Sequence, residues 1–339
     1  MPKFLTQSLT DLFVLLLLAW LSGCSAERAV DLSGHTQGTT YSIHAFCPVV
    51  PDDLRTQVDR LLGDVNAQMS TYDPESTLSK FNASTSYAWQ SVPAPLARVV
   101  AAAQQLARMS DGAFDATVGP LVNVWGFGPG GKRGAIPSQA AIAQARSKVG
   151  FRFLHVRLDP PALRKTHDVY VDLSAIAQGY TADAIGELLD RRECPSYLVE
   201  VGGEVRVGRR KPDDRRWRVG IEAPDGDARW QTTLLLDDAG VSTSGDYHDY
   251  FESGGRRYSH TMDPRIGQPV ADDLAAVTVI DASAMRADGY ATLLDVLGPR
   301  DGYAFAETHG IAARFVERTP TGFTARLTTA FARVAASAR

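Results

Sequence analysis

An imidazole and several hard oxygen donors stand close together late in this chain. His260 lies in Tyr258-Ser259-His260-Thr261-Met262-Asp263-Pro264, and Asp288 and Thr292 lie in Ala287-Asp288-Gly289-Tyr290-Ala291-Thr292. That mixture suits a magnesium-type ion holding a phosphate ester beside a proton acceptor, because such ions prefer carboxylate, hydroxyl and carbonyl oxygen. Four-residue spacing in a helix places Asp288 and Thr292 on one face, where they can share one ion. Many polar helices supply such a pair merely as a solvated face or a cap, so its meaning depends on its neighbours. His260 likewise reads either as a core imidazole satisfied by a backbone carbonyl or as a functional group. Its company favours function: Asp263-Pro264 forms a turn beside it, and Ser242-Thr243-Ser244-Gly245-Asp246-Tyr247 reads as a second polar loop. Asp263, preceding a proline, reads equally well as a turn-former.

Two glycine signals add places where backbone can approach a ligand. One is Val201-Gly202-Gly203-Glu204 between strands, and the other is Asp172 to Tyr180 at a strand-to-helix junction. A helix start there offers unpaired amides to an anionic phosphate, and Ala175 can turn a carbonyl towards a metal. The plainer reading is a tight turn and an ordinary helix start. No GxGxxG follows a strand, and no GxxxxGK[ST] or GxSxG segment occurs, so the usual dinucleotide, P-loop and serine-hydrolase devices have no support.

The elements that must position these groups follow from periodicity. Thr39 to Phe46 alternates as a strand, and Pro51-Asp52-Asp53 opens a helix with Leu54, Val58, Leu61, Val65 and Met69 as its inward stripe. Helical spacing recurs from Leu96 to Leu106 and from Ser138 to Val149. Val169 to Leu173 reads as a strand feeding a helix from Ala175 to Leu189. Strands follow at 197–201, 205–207, 217–222, 232–236 and 274–280, then a helix at 283–297 and a strand at 311–317. Short connections between strands and the lack of βαβ alternation predict an α+β fold, a mostly antiparallel sheet with packed helices. The glycine-rich 126–134 stretch reads as a surface loop.

The chain has 339 residues, 44% of them hydrophobic, which is enough to bury a substantial core. A net charge of −4 without basic stripes argues against a nucleic-acid partner. At the N-terminus, Lys3 precedes an apolar run from Leu12 to Leu21 and then Ser22-Gly23-Cys24. This order resembles a bacterial lipoprotein signal, so residues 1–23 are expected to be removed and Cys24 lipidated. Residues 24–36 would be a lipidated tether and 37–335 a single domain. Ser25 after the cysteine favours the outer membrane. Export would bring Cys47 and Cys194 into an oxidising compartment, although their pairing stays open from sequence.

Taken in order, these segments resemble the FAD:protein FMN transferase family, the ApbE family, over most of the chain. The resemblance is carried by Gly38-Thr39-Thr40-Tyr41-Ser42, by Met69 to Ser76 with Lys80-Phe81-Asn82, and by Gly112 to Asn123. It continues through Val171 to Tyr180, Glu200 to Glu204, Thr243 to Tyr250, Tyr258 to Pro264 and Ala287 to Thr292. The resemblance implies an ApbE-like fold and an enzyme that takes FAD as substrate, with Mg²⁺ or alternatively Ca²⁺. It would attach the FMN half to a threonine of another protein and release AMP. It implies flavin or adenine contacts at Gln37, Tyr72, Ala113, Phe114, Asp115, Asp172, Gln178 and His260. It implies metal ligands at Ala175, Asp288 and Thr292, with Ala291 adding a carbonyl. His260 is the base expected to activate the attacking hydroxyl, with Asp263 or Asp246 orienting or replacing it. The acceptor would be a membrane redox subunit or an exported flavoprotein, met by an enzyme lipid-anchored in the bacterial envelope and facing the periplasm. Gln37 and Gln178 depart from the methionine and lysine common in the family, and Gln178 supplies no cation to phosphate. A metal-dependent FAD pyrophosphatase giving FMN and AMP, and a non-catalytic FAD-binding lipoprotein, are the alternative functions.

Overall fold

Strand structure begins ahead of the expected domain boundary. In the computed structural model, which describes residues 27–129, 131, 134–223, 230–245, 250–271 and 273–337, β1 (Arg28–Thr36) pairs with β2 (Thr39–Cys47) as an antiparallel hairpin. The stretch 28–36, expected as tether, therefore belongs to the sheet. Gln37 and Gly38 form the two-residue turn with φ of 51° and 75°, the doubly positive geometry that matches strand twist. The signal segment 1–23, Cys24 and Asp246 lie outside the described residues.

The chain continues through α1 (Leu54–Met69), α2 (Thr77–Ala83), β3 (Gln90–Ser91), α3 (Ala94–Met109), α4 (Gly119–Val124), α5 (Gln139–Arg146), β4 (Leu154–Leu158), β5 (Pro161–Lys165) and α6 (Ala177–Arg191). Then come β6 (Ser196–Val201), β7 (Glu204–Val207), β8 (Trp217–Glu222), β9 (Trp230–Leu236), β10 (Ala239–Gly245), β11 (Tyr250–Ser253), β12 (Arg256–Ser259), β13 (Met262–Asp263), β14 (Gln268–Pro269) and β15 (Leu274–Asp281). Helix α7 (Ala284–Thr308), β16 (Ala312–Thr319), β17 (Gly322–Leu327) and α8 (Thr329–Ser337) close it. On α1 the buried stripe is Leu54, Val58, Leu62, Val65 and Met69, so Leu62 takes the place expected for Leu61, as the 3.6-residue period requires.

The main sheet runs β1-β2-β6-β7-β10-β15-β16-β17, and all its neighbouring pairs are antiparallel. This is the α+β architecture anticipated from the short connections. Val207, Val241 and Ile280 pack from one face against Trp217, Leu234 and Phe331 of the β8–β9 hairpin and α8. The opposite face carries α6 and α7. Because side chains alternate along a strand, Glu204 on β7 and Ser242 and Ser244 on β10 point to the helical side.

Two segments differ from expectation. Residues 169–173 form no regular strand, only a parallel bridge between Val118 and Tyr170. Instead, the Asn82 side chain stands in for a strand partner, donating to the Val171 carbonyl (2.8 Å) and accepting from its amide (2.8 Å). Conversely, the polar loop expected at 242–247 is largely strand β10. Its glycine-rich sequence hides the strand because Gly240 must admit α7: a Cβ there would lie 2.3 Å from the Ala284 amide nitrogen.

The α6–α7 junction is fixed by Asp183 of α6. Its carboxylate accepts from the Ser283 hydroxyl (2.6 Å) and the amides of Ala284 (2.8 Å) and Met285 (3.0 Å), capping α7 from outside its own chain segment. Asp183→Ala leaves those amides unpaired and is expected to cost about 2 kcal/mol in denaturant unfolding. A loss under about 0.5 kcal/mol would show that water substitutes fully for the carboxylate.

Candidate active site

The start of α6 and the first turns of α7 meet where no side chain can intervene. A Cβ on Gly179 would sit 2.4 Å from the Ala284 carbonyl oxygen and 2.7 Å from Asp288 Cβ, so only glycine fits. Gly179 donates its amide to Asp288 Oδ2 at 3.0 Å, satisfying one of the orphan donors of the α6 N-terminus. Ala175 precedes the N-cap residue Ile176, so its carbonyl lies ahead of the helix ladder and on the wall of a cavity.

That cavity, of about 380 Å³, is walled by 113–116, Asp172, Ser174, Ala175 and Gln178 together with Gly202, Glu204, the 242–245 stretch of β10, His260 to Met262, Asp288 and Thr292. A groove of about 690 Å³ lined by Gln37, Asn66, Ser70 and Ala177 shares Tyr72, Ser174 and Gln178 with it. Asp172 is held by its amide to the Ala116 carbonyl (2.7 Å), and its carboxylate accepts from the Ser174 amide and hydroxyl. His260 packs edge-on to Phe127 at 6.4 Å, beside the stacked rings of Phe127, Phe251, Tyr258 and Trp125.

The structure thus brings together Tyr72, Ala113, Phe114, Asp115, Asp172, Ala175, Gln178, His260, Asp288 and Thr292. It sets three other expected residues apart. Gln37 lines the groove rather than the cavity, its amide donating to Thr181 Oγ1 at 2.6 Å. Ala291 is fully buried in the core instead of on the cavity wall. Asp263 is turned into its own β-turn, where Arg265 donates to both carboxylate oxygens at 3.0 and 2.8 Å, and it is absent from the cavity lining. Asp115 reaches the wall, but its carboxylate is occupied by the Thr117 amide and hydroxyl (2.7 Å each) and the Phe151 amide (2.7 Å). Burial raises the Asp115 pKa, and those three donors oppose the rise.

Glu204 and Ser242, which the sequence marks only as part of a glycine turn and a polar loop, also line the cavity. The alternation Glu204-Val205-Arg206-Val207 was the available signal. Asp288 is buried, and desolvation pushes its pKa up to about 7 despite the Gly179 hydrogen bond, with the Asp183 charge adding to the rise. Glu204 is raised well above its ordinary value, first by burial and then by the Asp288 charge. Among the described residues no group of three or more His, Cys, Asp or Glu side chains converges, so a cation here would draw on hydroxyl, carbonyl and substrate oxygen as well. Carboxylate, hydroxyl and free carbonyl at Asp288, Thr292 and Ala175 fit that need for a hard divalent ion.

The raised pKa sets a pH dependence. A carboxyl that binds its proton more tightly when folded stabilises the fold below the ordinary carboxylate range and loses that contribution as pH rises through about 7. Chelator-treated protein should therefore melt at lower temperature at about pH 8 than at about pH 5, and Asp288→Asn should flatten this slope. An unaltered slope in the variant would assign the effect elsewhere.

A family model described as the ApbE family matches residues 37–315. The chain belongs to the ApbE family. It is 42% identical over 313 residues to the FAD:protein FMN transferase of Vibrio cholerae, covering 90% of this chain and 93% of that one. It is 36% identical to the FAD:protein FMN transferase of Haemophilus influenzae, covering 92% and 93%. The crystal structure of the Pseudomonas stutzeri flavinyl transferase ApbE in its apo form superimposes with a TM-score of 0.85 at 42% identity, over 91% of this chain and 98% of that one. The wholly antiparallel sheet flanked by helices is thus the ApbE flavin transferase fold.

Proposed function

We propose that this ApbE-family protein transfers the FMN moiety of FAD to a threonine hydroxyl of an acceptor flavoprotein and releases AMP. The observation that carries the reading is the buried Asp288 carboxylate at the α6 N-terminus, opening with Thr292 and Ala175 on a cavity continuous with a second groove. FAD has two ends joined by a diphosphate, and a cavity and groove meeting at Tyr72, Ser174 and Gln178 suit such a molecule. Asp288, Thr292 and the Ala175 carbonyl would hold Mg²⁺, or alternatively Ca²⁺. A divalent ion there neutralises diphosphate charge as the phosphoanhydride breaks.

The balance of the reaction assigns the remaining roles. The threonine oxygen forms a phosphoester with the FMN phosphorus, the phosphoanhydride bond to AMP breaks, and the hydroxyl proton passes to a base. His260, half-buried on the cavity wall, is positioned to take it. Gln178 would offer phosphate a neutral hydrogen bond at a position where the family commonly places lysine. Incubating the full chain with FAD, Mg²⁺ and an acceptor tests the reading: fluorescent FMN on an acceptor threonine supports it. Free FMN with AMP would instead give a pyrophosphatase, and intact FAD a carrier. His260→Ala should retain FAD binding while transfer falls about 10²- to 10⁴-fold, the usual worth of a general base. Parallel loss of both would make His260 a flavin contact.

We also place the enzyme at the periplasmic side of the cell envelope, anchored by lipid at Cys24. The Leu12 to Cys24 order supports this, as does a disulfide between Cys47 and Cys194. Acceptors there would be membrane redox subunits or exported flavoproteins. Among the described residues no helix is long and apolar enough to cross a membrane. Labelling cells with a radioactive fatty acid and finding none on the protein would remove the anchor.

A further inference from the structure

Glu204 opens β7 with 7% of its surface exposed. Val205 and Val207 pack into the layer beneath the sheet, so the Glu204 side chain is directed to the helical face, where it lines the same cavity as Asp288 and Thr292. Ser242, on the neighbouring strand and the same face, donates to Glu204 Oε1 at 3.4 Å. Oε2 is buried and has no hydrogen-bond partner. Arg206, the next residue on this face, is committed to the Asp183 carboxylate at 3.7 Å and the Ala282 carbonyl at 2.9 Å. Gln178, whose side-chain amide lies against Gly202, is neutral. Two buried carboxylates therefore line one cavity, and among the described residues neither forms an ion pair. A buried carboxylate without a donor is costly, and a second one beside it adds repulsion, unless a cation resolves both.

We propose that Glu204 is the second carboxylate of the divalent-cation site, lining the same cavity as Asp288 and presenting Oε2 to the ion. This rests on the cation reading above and extends it to a residue outside the Asp288–Thr292 helix. Glu204 would tie the ion to the sheet, while Asp288 and Thr292 tie it to α7 and Ala175 to the start of α6. Ion binding would then clamp the two helices against β7 and β10.

The test is Mn²⁺ affinity of the detergent-solubilised full chain, read by electron paramagnetic resonance without FAD, for wild type, Glu204→Gln, Glu204→Asp and Asp288→Asn. Removing a ligand is expected to weaken Mn²⁺ at least about ten-fold in Glu204→Gln and in Asp288→Asn, with Glu204→Asp between. The Mn²⁺-induced rise in melting temperature should shrink in the same order. If Glu204→Gln binds Mn²⁺ as wild type does while Asp288→Asn loses it, the ion sits at α7 without Glu204 and this inference fails alone. Unchanged affinity in both variants would overturn the cation reading as well. Should Glu204→Gln fail to fold, Glu204→Asp decides: it keeps the charge but withdraws the oxygen by one methylene, and undiminished affinity there sinks the proposal.

Discussion

Asp288→Asn is expected to lower cation-dependent FMN transfer by about a thousand-fold or more. A bound divalent ion contributes several kcal/mol of charge stabilisation to phosphoryl transfer, and about 1.36 kcal/mol corresponds to each factor of ten in rate. The fold should survive, because the amide oxygen of asparagine can still accept from the Gly179 amide and so keep the α6 N-terminus capped. Cation-free stability should even rise at neutral pH, since a carboxylate pushed up to about 7 by burial is replaced by a neutral group. The combination of lost turnover and retained or improved folding separates a ligand from a structural residue. Turnover equal to wild type at saturating Mg²⁺ would reject Asp288 as a ligand.

The residues of this site differ in how openly the sequence displays them, and the difference has physical causes. Asp288 and Thr292 were legible because a helix keeps a fixed 3.6-residue period, so four-residue spacing means one face whatever surrounds it. The α+β class was legible from the short connections, and the hydrophobic stripes of α1 and α3 from their spacing. Glu204 was hidden because its strand has only four residues after two glycines, too short for alternation to stand out. Strand β10 was hidden because Gly240, a poor strand former, is required by the approach of α7 rather than by a turn. Asp263 illustrates the opposite error, a residue placed beside His260 by sequence whose carboxylate the fold spends on Arg265. No local pattern distinguishes an aspartate aimed into a cavity from one aimed into its own turn. Asn82, which holds the Asp172 segment from 89 positions away, is beyond any local reading.

Breaking the Cys47–Cys194 disulfide is expected to have the largest effect on stability. The bond joins the end of β2 to the turn between α6 and β6 across 147 residues of sequence. Closing a loop of that length restricts the unfolded chain by about 5 kcal/mol in the chain-entropy account. Both cysteines are fully buried in a cluster with Tyr41, Ile43, Ile185 and Tyr197. The Cys47→Ala/Cys194→Ala protein should therefore keep its native contacts, apart from a small loss of packing, and pay mainly through its unfolded state. Denaturant unfolding of this variant, beside wild type with and without reductant, measures the loss. Cys194 follows the C-terminal end of α6, the opposite end of that helix from Gly179 and Asp288, so FAD binding under native conditions should persist while the unfolding midpoint drops. A midpoint change worth less than about 1 kcal/mol would mean that the reduced unfolded chain already holds these segments together.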